Sequence, residues 1–378
     1  KIIIKEFNYR EKKGLNIENG RKERSFMNKY KKIKNKHKKS LIVIISIFLC
    51  CLILIGLGYF YVRGKIYVKS NNSTVSDKET KNKLNEESVE LKEVDGITNI
   101  LLIGADGVDF SAENGRSDSL IIATLDSNNK KVKLTSLYRD TIVFIPGYGE
   151  DKMNAAFSLG GPELVIDTIR YNFDLSLEKY IMINFKGFEA IIDQIGGIDI
   201  DVQEYQLHEL NKYIGIDTGG NDCSVEEAGL QRLNGKQALS YARIRKGVGD
   251  DFERTERQRD VLFKVAEKLQ KTNPIKYFEI GNKMLDYVKT NIDIIECVNM
   301  AYTIYKFSNF NTEQLSIPAL ELCVDEEING NMGLRMDSYK NALILNDFIF
   351  NDTLPDFILN RSTEKDTSIY YEYDGFGE

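Results

Sequence analysis

This chain prefers lysine, with 36 Lys against 15 Arg, yet the preference inverts over one stretch. Residues 243–259, RIRKGVGDDFERTERQR, hold five Arg and one Lys. A guanidinium presents a planar fork that grips two phosphate oxygens at once, whereas an ammonium offers a point charge. A need for two-point contact with an anion accounts for the inversion. Arg254, Arg257 and Gln258 fall at i, i+3 and i+4 and share one face of a helix. Arg243 and Arg245, on extended chain, also point one way at period two. The competing account is a solvated helix whose Glu253, Glu256 and Asp260 pair with those arginines, and this segment alone does not separate the two.

Two acidic loops carry an arginine each. GADGVDFSAENGRSD contains Asp106, Arg116 and Asp118, and YRD contains Arg139 and Asp140. Both loops follow predicted strands. Carboxylates delivered from strand ends are hard oxygen ligands, suited to a Mg2+ ion (or Mn2+) that keeps several waters and bridges to phosphate oxygens. Singly, Asp106 reads as well as a turn residue, and Asp118 as a turn or cap. Together, acids for a metal and arginines for anionic oxygens describe phosphoryl transfer without a nucleotide P-loop. Composition removes other chemistries. Five Cys and two His, His37 and His208, supply no pair of metal-ligand clusters for zinc. No Ser-His-Asp arrangement stands out, which leaves a carboxylate as the general base.

The elements that must position these groups follow from periodicity. ITNILLIG from Ile97 is a short apolar run ending in Gly, a central strand entering a loop. SLIIATLD and KVKLTSL, separated by residues 127–130, form a hairpin. Gly161-Pro162 opens a helix through about Asn172, with Pro in the first turn where its missing N–H costs nothing. YIMINF, KGFEAIIDQI and IDIDV read as strand, helix, strand, the last two separated by Gly196-Gly197. A loop rich in Gly and Asp follows. Asn234 then caps a helix through Tyr241, and a long helix runs from about Phe252 to Lys271. Further helices are predicted at 292–307 and 339–350, with late strands at SIPAL and MGLRM. The alternation predicts an α/β fold, a three-layer α/β/α sandwich with a central mixed sheet. Phe157, Phe185 and Phe188 read as packing. Of the cysteines beyond the apolar run, Cys223 and Cys323 lie in loop-like sequence and are candidates to pair with each other.

Charge divides the chain. Residues 1–40 carry a net +11, which leaves −17 on residues 41–378 of a total of −6. No charged residue occurs from Ser40 to Val62, and about 20 apolar residues suffice for a helix to cross a hydrocarbon core. Val62-Arg63-Gly64-Lys65 follows rather than small residues, so the run reads as an uncleaved anchor and not a signal peptide. Seven Lys and no acid between Met27 and Lys39 place that side in the cytoplasm and the body outside. Met27 is a candidate natural start. The expected organisation is a basic cytoplasmic tail (1–40), a single transmembrane helix (41–62), a polar stalk (63–95), an extracytoplasmic domain (96–352) and a polar C-terminal tail (353–378). The topology rule accounts for the basic tail, so no nucleic-acid partner is expected.

The segments NILLIGAD, GRSDSLIIATLD, LTSLYRDTIVFIPGYGEDKMNAAFSLGGPELVIDTI, FKGFEAIIDQIGGIDIDV, GLQRLNGKQALSYARIR and DFERTERQRDVL, in this order, resemble the LytR-CpsA-Psr family of membrane-anchored cell-wall glycopolymer ligases. The resemblance implies a phosphotransferase. It would move a phosphoglycan, such as a teichoic acid or capsular polysaccharide, from a polyprenyl-pyrophosphate donor to a peptidoglycan hydroxyl. It also implies an apolar tunnel for the polyprenyl chain between sheet and helices. By the same resemblance Asp106 and Asp118 are the magnesium ligands. Arg116 and Arg139 contact the pyrophosphate, with Arg243, Arg245, Arg254 and Gln258 as the second half of that cradle. Arg257 sits in the same motif, either on the substrate or holding Asp140 or another acid. Asp118 and Asp140 are both candidates for the general base. The departure from the family pattern is Tyr138, where Pro usually precedes the Arg-Asp pair. The alternatives are hydrolysis of the donor's pyrophosphate at the same site, and a membrane-bound regulator acting through the basic tail.

Overall fold

Alternation along the first strand decides what each side of the sheet touches. The computed structural model describes residues 56–69, 93–105, 117–219, 223–245, 251–307 and 311–361. From Val62 on they form one compact unit. In chain order the elements are β1 (Ile97–Ala105), β2 (Ser117–Asp126), β3 (Lys131–Leu137), β4 (Thr141–Ile145), β5 (Gly149–Lys152), α1 (Met153–Phe173), β6 (Lys179–Asn184), α2 (Phe185–Gln194), β7 (Ile198–Val202) and α3 (Glu204–Thr218). Then come β8 (Gly229–Leu233), α4 (Gly235–Arg243), α5 (Asp251–Gln270), α6 (Pro274–Met284), β9 (Val288–Thr290), α7 (Ile294–Tyr305), β10 (Asn311–Ile317), β11 (Cys323–Ile328), β12 (Asn331–Met336), α8 (Ser338–Asn351) and α9 (Asp356–Arg361).

The central sheet has six strands in the order β10-β3-β2-β1-β6-β9. It is mixed: β1 pairs antiparallel with β2 and parallel with β6. Leu101, Ile103 and Ala105 of β1, with Leu120 and Ile122 of β2, face a core completed by α1 and α8. The alternate residues Leu102, Gly104, Ser119 and Ile121 line a cavity on the other side, together with residues of α2, α4 and α5. Helices therefore flank both sides of a mixed sheet, as the alternation predicts. A second core joins β7 and β8 to α3, α4, α5 and α6.

Several expectations change. IDIDV pairs only with β8, in a two-stranded ribbon apart from the central sheet. The helix opened at Pro162 is preceded by another helical stretch from Met153, broken from it at Gly160 and Gly161, where Gly161 has φ +68°. The stretch read as a loop between IDIDV and Asn234 instead holds α3 and β8. Cys223 and Cys323 are free thiols. Cys223 packs against the second core and Cys323 against the first, which leaves them on different parts of the fold. The start of the expected stalk is ordered, since Tyr67 bridges Thr290 at the sheet edge and Lys65 pairs with Asp286 at 2.7 Å. The expected polar tail begins with α9, whose Ile358 packs on the first core with Leu354. Among the described residues no helix is long and apolar enough to cross a membrane. Of the apolar run at 41–62 only residues 56–62 are described, and they are helical.

Two local devices aim α4 at the cavity. Asn234 accepts from the Gln237 backbone N–H at 3.0 Å and Gln237 returns a bond at 2.9 Å, a capping box that starts the helix. Gly235 opens it where a Cβ would stand 2.3 Å from the Glu189 carbonyl oxygen of α2. That oxygen is backbone and cannot move alone. Gly235→Ala is therefore expected to cost about 2–3 kcal/mol by forcing the two helices apart, measured as a lower midpoint in chemical denaturation of the full-length protein.

Candidate active site

The cavity measures about 550 Å³ and is mostly apolar, with a cationic end. Its polar residues come from separate parts of the chain. Arg139 follows β3, Arg243 ends α4, Arg245 lies two residues on, and Arg254 and Gln258 are one turn apart on α5. Strand register places the sheet's contribution at one end. Leu137 pairs with Leu120, Ser119 with Gly104, and Ala105 with Asn184, so the exits of β1, β3 and β6 and the start of β2 meet there.

Each arginine is aimed by an identifiable device. Arg243 and Arg245 flank Ile244, whose backbone leaves the helix in an extended conformation and whose side chain is fully buried. Arg243 is still helical rather than extended, but the buried Ile244 turns one way and both arginines line the cavity. The Arg243 guanidinium lies 4.8 Å from the Phe185 ring centroid, a cation–π contact that holds it flat. Arg254 is only 2% exposed, so its charge acts with little screening by water. Gln258 donates to the Ala242 carbonyl at 3.4 Å. Arg139 donates from Nε to Asp140 at 3.2 Å, and Lys152 reaches the other oxygen of the same carboxylate at 3.2 Å.

Arg257 is placed differently. It shares a helix with Arg254 and Gln258 but does not line the cavity. It donates to the Ile244 carbonyl at 2.8 Å and to Glu253 at 3.1 Å, tying the exit of α4 to α5. Its pairing with Glu253 is the one the solvated-helix account anticipated. Arg259 likewise serves the fold, bonding Gln314 at 2.9 Å and Ser316 at 2.8 Å on β10. The five-arginine stretch thus divides into three cavity residues and two braces.

Tyr138 stands where the family pattern has Pro. Its ring packs edge-on against Phe252 at 4.3 Å. Burial pushes its hydroxyl up to about 12, although Ser316 and Thr255 hydrogen-bond to it. The Tyr138 N–H also bonds the Ile317 carbonyl at 2.9 Å. The Arg139 loop is thus held by a buried ring rather than by a fixed φ.

Asp106 and Arg116 lie outside the described residues, and of Asp118 only the backbone, within β2, is described. Among the described residues no group of three His, Cys, Asp or Glu gathers as metal ligands. The surroundings suit a hard cation beside an anion. Asp106 follows Ala105, which pairs with Ser117 next to Asp118. The buried Ser117 Oγ has no hydrogen-bond partner among the described residues.

The apolar lining was not separable from core in the sequence. Phe185, Phe188 and Ile191 present one side of α2 to the cavity, with Ile181 and Ile183 of β6, Leu239 and Leu262. Of the three singled-out phenylalanines, Phe157 is packing, at 1% exposure in the first core, Phe188 both lines the cavity and packs against the second core, and Phe185 lines the cavity.

Residues 60–346 match the sequence profile of the LytR_cpsA_psr family. The chain is 32% identical over 279 residues to the polyisoprenyl-teichoic acid--peptidoglycan teichoic acid transferase TagV of Bacillus subtilis, covering 72% of this chain and 69% of that one. It is 32% identical over 272 residues to TagU of Enterococcus faecalis, a transferase of the same description, covering 71% and 84%. A solved structure of TagT bound to LIIa-WTA superposes with a TM-score of 0.57 at 25% identity, covering 69% of this chain and 93% of that one.

Proposed function

The chain belongs to the LytR-CpsA-Psr family, and from that premise we propose that it is a membrane-anchored phosphotransferase that attaches a teichoic acid or capsular polysaccharide type of phosphoglycan to peptidoglycan. The observation that carries this reading is the convergence of Arg139, Arg243, Arg245 and Arg254 on a mostly apolar cavity. A polyprenyl-pyrophosphate donor is a long apolar chain ending in a compact polyanion, and the cavity is complementary to both parts. Its relatives named as teichoic acid transferases and the TagT complex support the same substrate class.

The arginines offset pyrophosphate charge in a site with little water, where fixed donors need no reorganisation during the reaction. The acceptor hydroxyl attacks the sugar-proximal phosphorus. A new O–P bond forms as the bond to the bridging oxygen breaks, and polyprenyl phosphate leaves with that electron pair. The hydroxyl proton passes to a carboxylate. Asp140, gripped by Arg139 and Lys152, orients Arg139; Asp118 and Asp140 are both candidates to accept the proton. Asp106 and Asp118 would hold a magnesium ion, which when bound adds positive charge against the pyrophosphate oxygens. The apolar run anchors the chain in the cell membrane, N-terminus inside and this domain outside.

The test uses full-length protein in nanodiscs with a lipid-linked glycopolymer donor and peptidoglycan oligomers. Glycopolymer joined to the oligomer through a phosphodiester is the expected product, with transfer falling to background after chelation and returning with magnesium. Free phosphoglycan as the sole product would replace transfer by hydrolysis. Undiminished transfer in chelator would remove the metal from the site.

A further inference from the structure

α7 is an apolar helix that the fold leaves uncovered. Ile295, Val298, Tyr302 and Tyr305 fall at i, i+3, i+7 and i+10, and they are 62%, 60%, 57% and 48% exposed. None of the residues of α7 is buried. Lys306, just past its end, lies 4.3 Å from the Tyr302 ring centroid. The one acid of the helix, Glu296, is half-exposed and neutralised by Lys179 of β6 at 3.2 Å. An apolar stripe with tyrosines and a lysine at its margin is the composition of a helix lying in a lipid interface, with aromatic rings at headgroup depth and an ammonium reaching past them.

The chain also limits where this stripe sits. The apolar run ends at Val62, and Tyr67 bridges Thr290 at the edge strand β9, with the Val68 N–H on the Thr290 carbonyl at 2.8 Å. Five residues span at most about 18 Å even fully extended. α7 begins four residues after Thr290, pinned by Asp293, whose carboxylate accepts from the Ile295 N–H at 2.9 Å. The apolar lining of the cavity points the same way. It runs along β6 from Asn184 back to Ile181, whose register partner is Thr290. The end of the run, the apolar end of the cavity and the start of α7 therefore share one corner of the sheet.

We propose that the exposed side of α7 seats in the headgroup region of the membrane, holding the apolar end of the cavity against the lipid from which the donor's chain enters. The proposal rests on the reading of residues 41–62 as a membrane anchor. The chain contains no Trp, so Tyr302→Trp and Val298→Trp each introduce a single probe. Tyr339→Trp, on α8 beside the opposite edge strand β10 and 71% exposed, is the control. Full-length variants are reconstituted in phosphatidylethanolamine–phosphatidylglycerol vesicles with and without dibrominated acyl chains, and membrane integration is checked by alkaline carbonate extraction. The expected result is a blue-shifted emission from both α7 probes, quenched by the bromolipid at least about two-fold more than the control. Carbonate-resistant protein whose α7 probes are quenched no more than the control overturns the docking while the anchor stands. Extraction by carbonate removes the anchor, and with it the tether on which the proposal depends. A blue shift without bromolipid quenching, in nanodiscs holding two copies by mass, would assign the face to a second copy and overturn the lipid contact.

Discussion

Arg254→Ala is expected to lower glycopolymer transfer about 10²–10³-fold, the size of effect seen when one fixed donor is removed from a developing negative charge. The residue is almost fully buried on α5, and its charge is directed into a cavity that water screens poorly. A mainly kcat effect is expected, because stabilisation that grows as charge shifts to the leaving phosphate is lost from the transition state more than from the bound donor. Arg254→Lys keeps the charge and loses the fork, and is expected to recover part of the rate. Arg257→Ala supplies the contrast, three residues along the same helix. It removes bonds to the Ile244 carbonyl and Glu253, so its main effect should be a lower denaturation midpoint. If Arg254→Ala transfers at the wild-type rate, or if both variants lose only stability, the cavity is not the site of phosphoryl transfer.

That contrast also marks how far the sequence could be read. The inversion from lysine to arginine at 243–259 was legible because it runs against the composition of the whole chain. Its division was not. A helical wheel places Arg254, Arg257 and Gln258 within one broad face, but which part of that face meets the cavity depends on how α5 packs against the exit of α4, a tertiary fact. The same limit applies to Phe185 and Phe188, since an apolar cavity and an apolar core are lined by the same residue types. β1, β2 and β3 were legible through alternation and a short polar turn. β5 is only four residues, GEDK, and three of them are charged, so no hydrophobic period announces it. β7 alternates clearly, yet its pairing with β8 instead of the central sheet comes from α3 and α4 closing a core beneath the ribbon. The charge split reads similarly. A net −17 beyond residue 40 speaks against an anionic substrate only at the scale of the whole body, and the arginines of the cavity act at the scale of a few ångströms.

Lys133→Met is expected to destabilise the fold by about 3–5 kcal/mol, the cost of breaking a buried charge arrangement by removing one partner. Lys133 lies on β3, fully buried, where an apolar residue would suit the alternation. Its ammonium donates to the Phe348 carbonyl at 2.6 Å and the Ile349 carbonyl at 2.9 Å, and it contacts the Asp352 carboxylate. Those carbonyls belong to the last turn of α8, where the helix leaves its acceptors without internal partners, and where a cation also meets the negative end of the helix dipole. A strand lysine therefore caps a helix distant in sequence. In the variant the carbonyls keep no equivalent donor, and Asp352 retains only Lys131, at 3.0 Å. A fall of about 10 °C in Tm is expected for a domain of this size. Acid should narrow the gap. Burial pushes the Asp352 carboxyl up, but hydrogen bonds from Lys133 and Lys131 outweigh it and hold the group below the usual carboxylate range. A carboxyl depressed in the folded state stabilises above its unfolded pKa of about 4, and that stabilisation is lost as pH falls through the lower folded value. Wild type should thus lose more stability than Lys133→Met between about pH 5 and pH 3. The two carbonyl bonds survive protonation of Asp352, so the curves should approach without meeting. Thermal unfolding of full-length wild type and variant across that range is the measurement. A gap that stays constant with pH would show that Asp352 contributes nothing through Lys133, and a gap absent at pH 7 would show that α8 does not depend on its lysine cap.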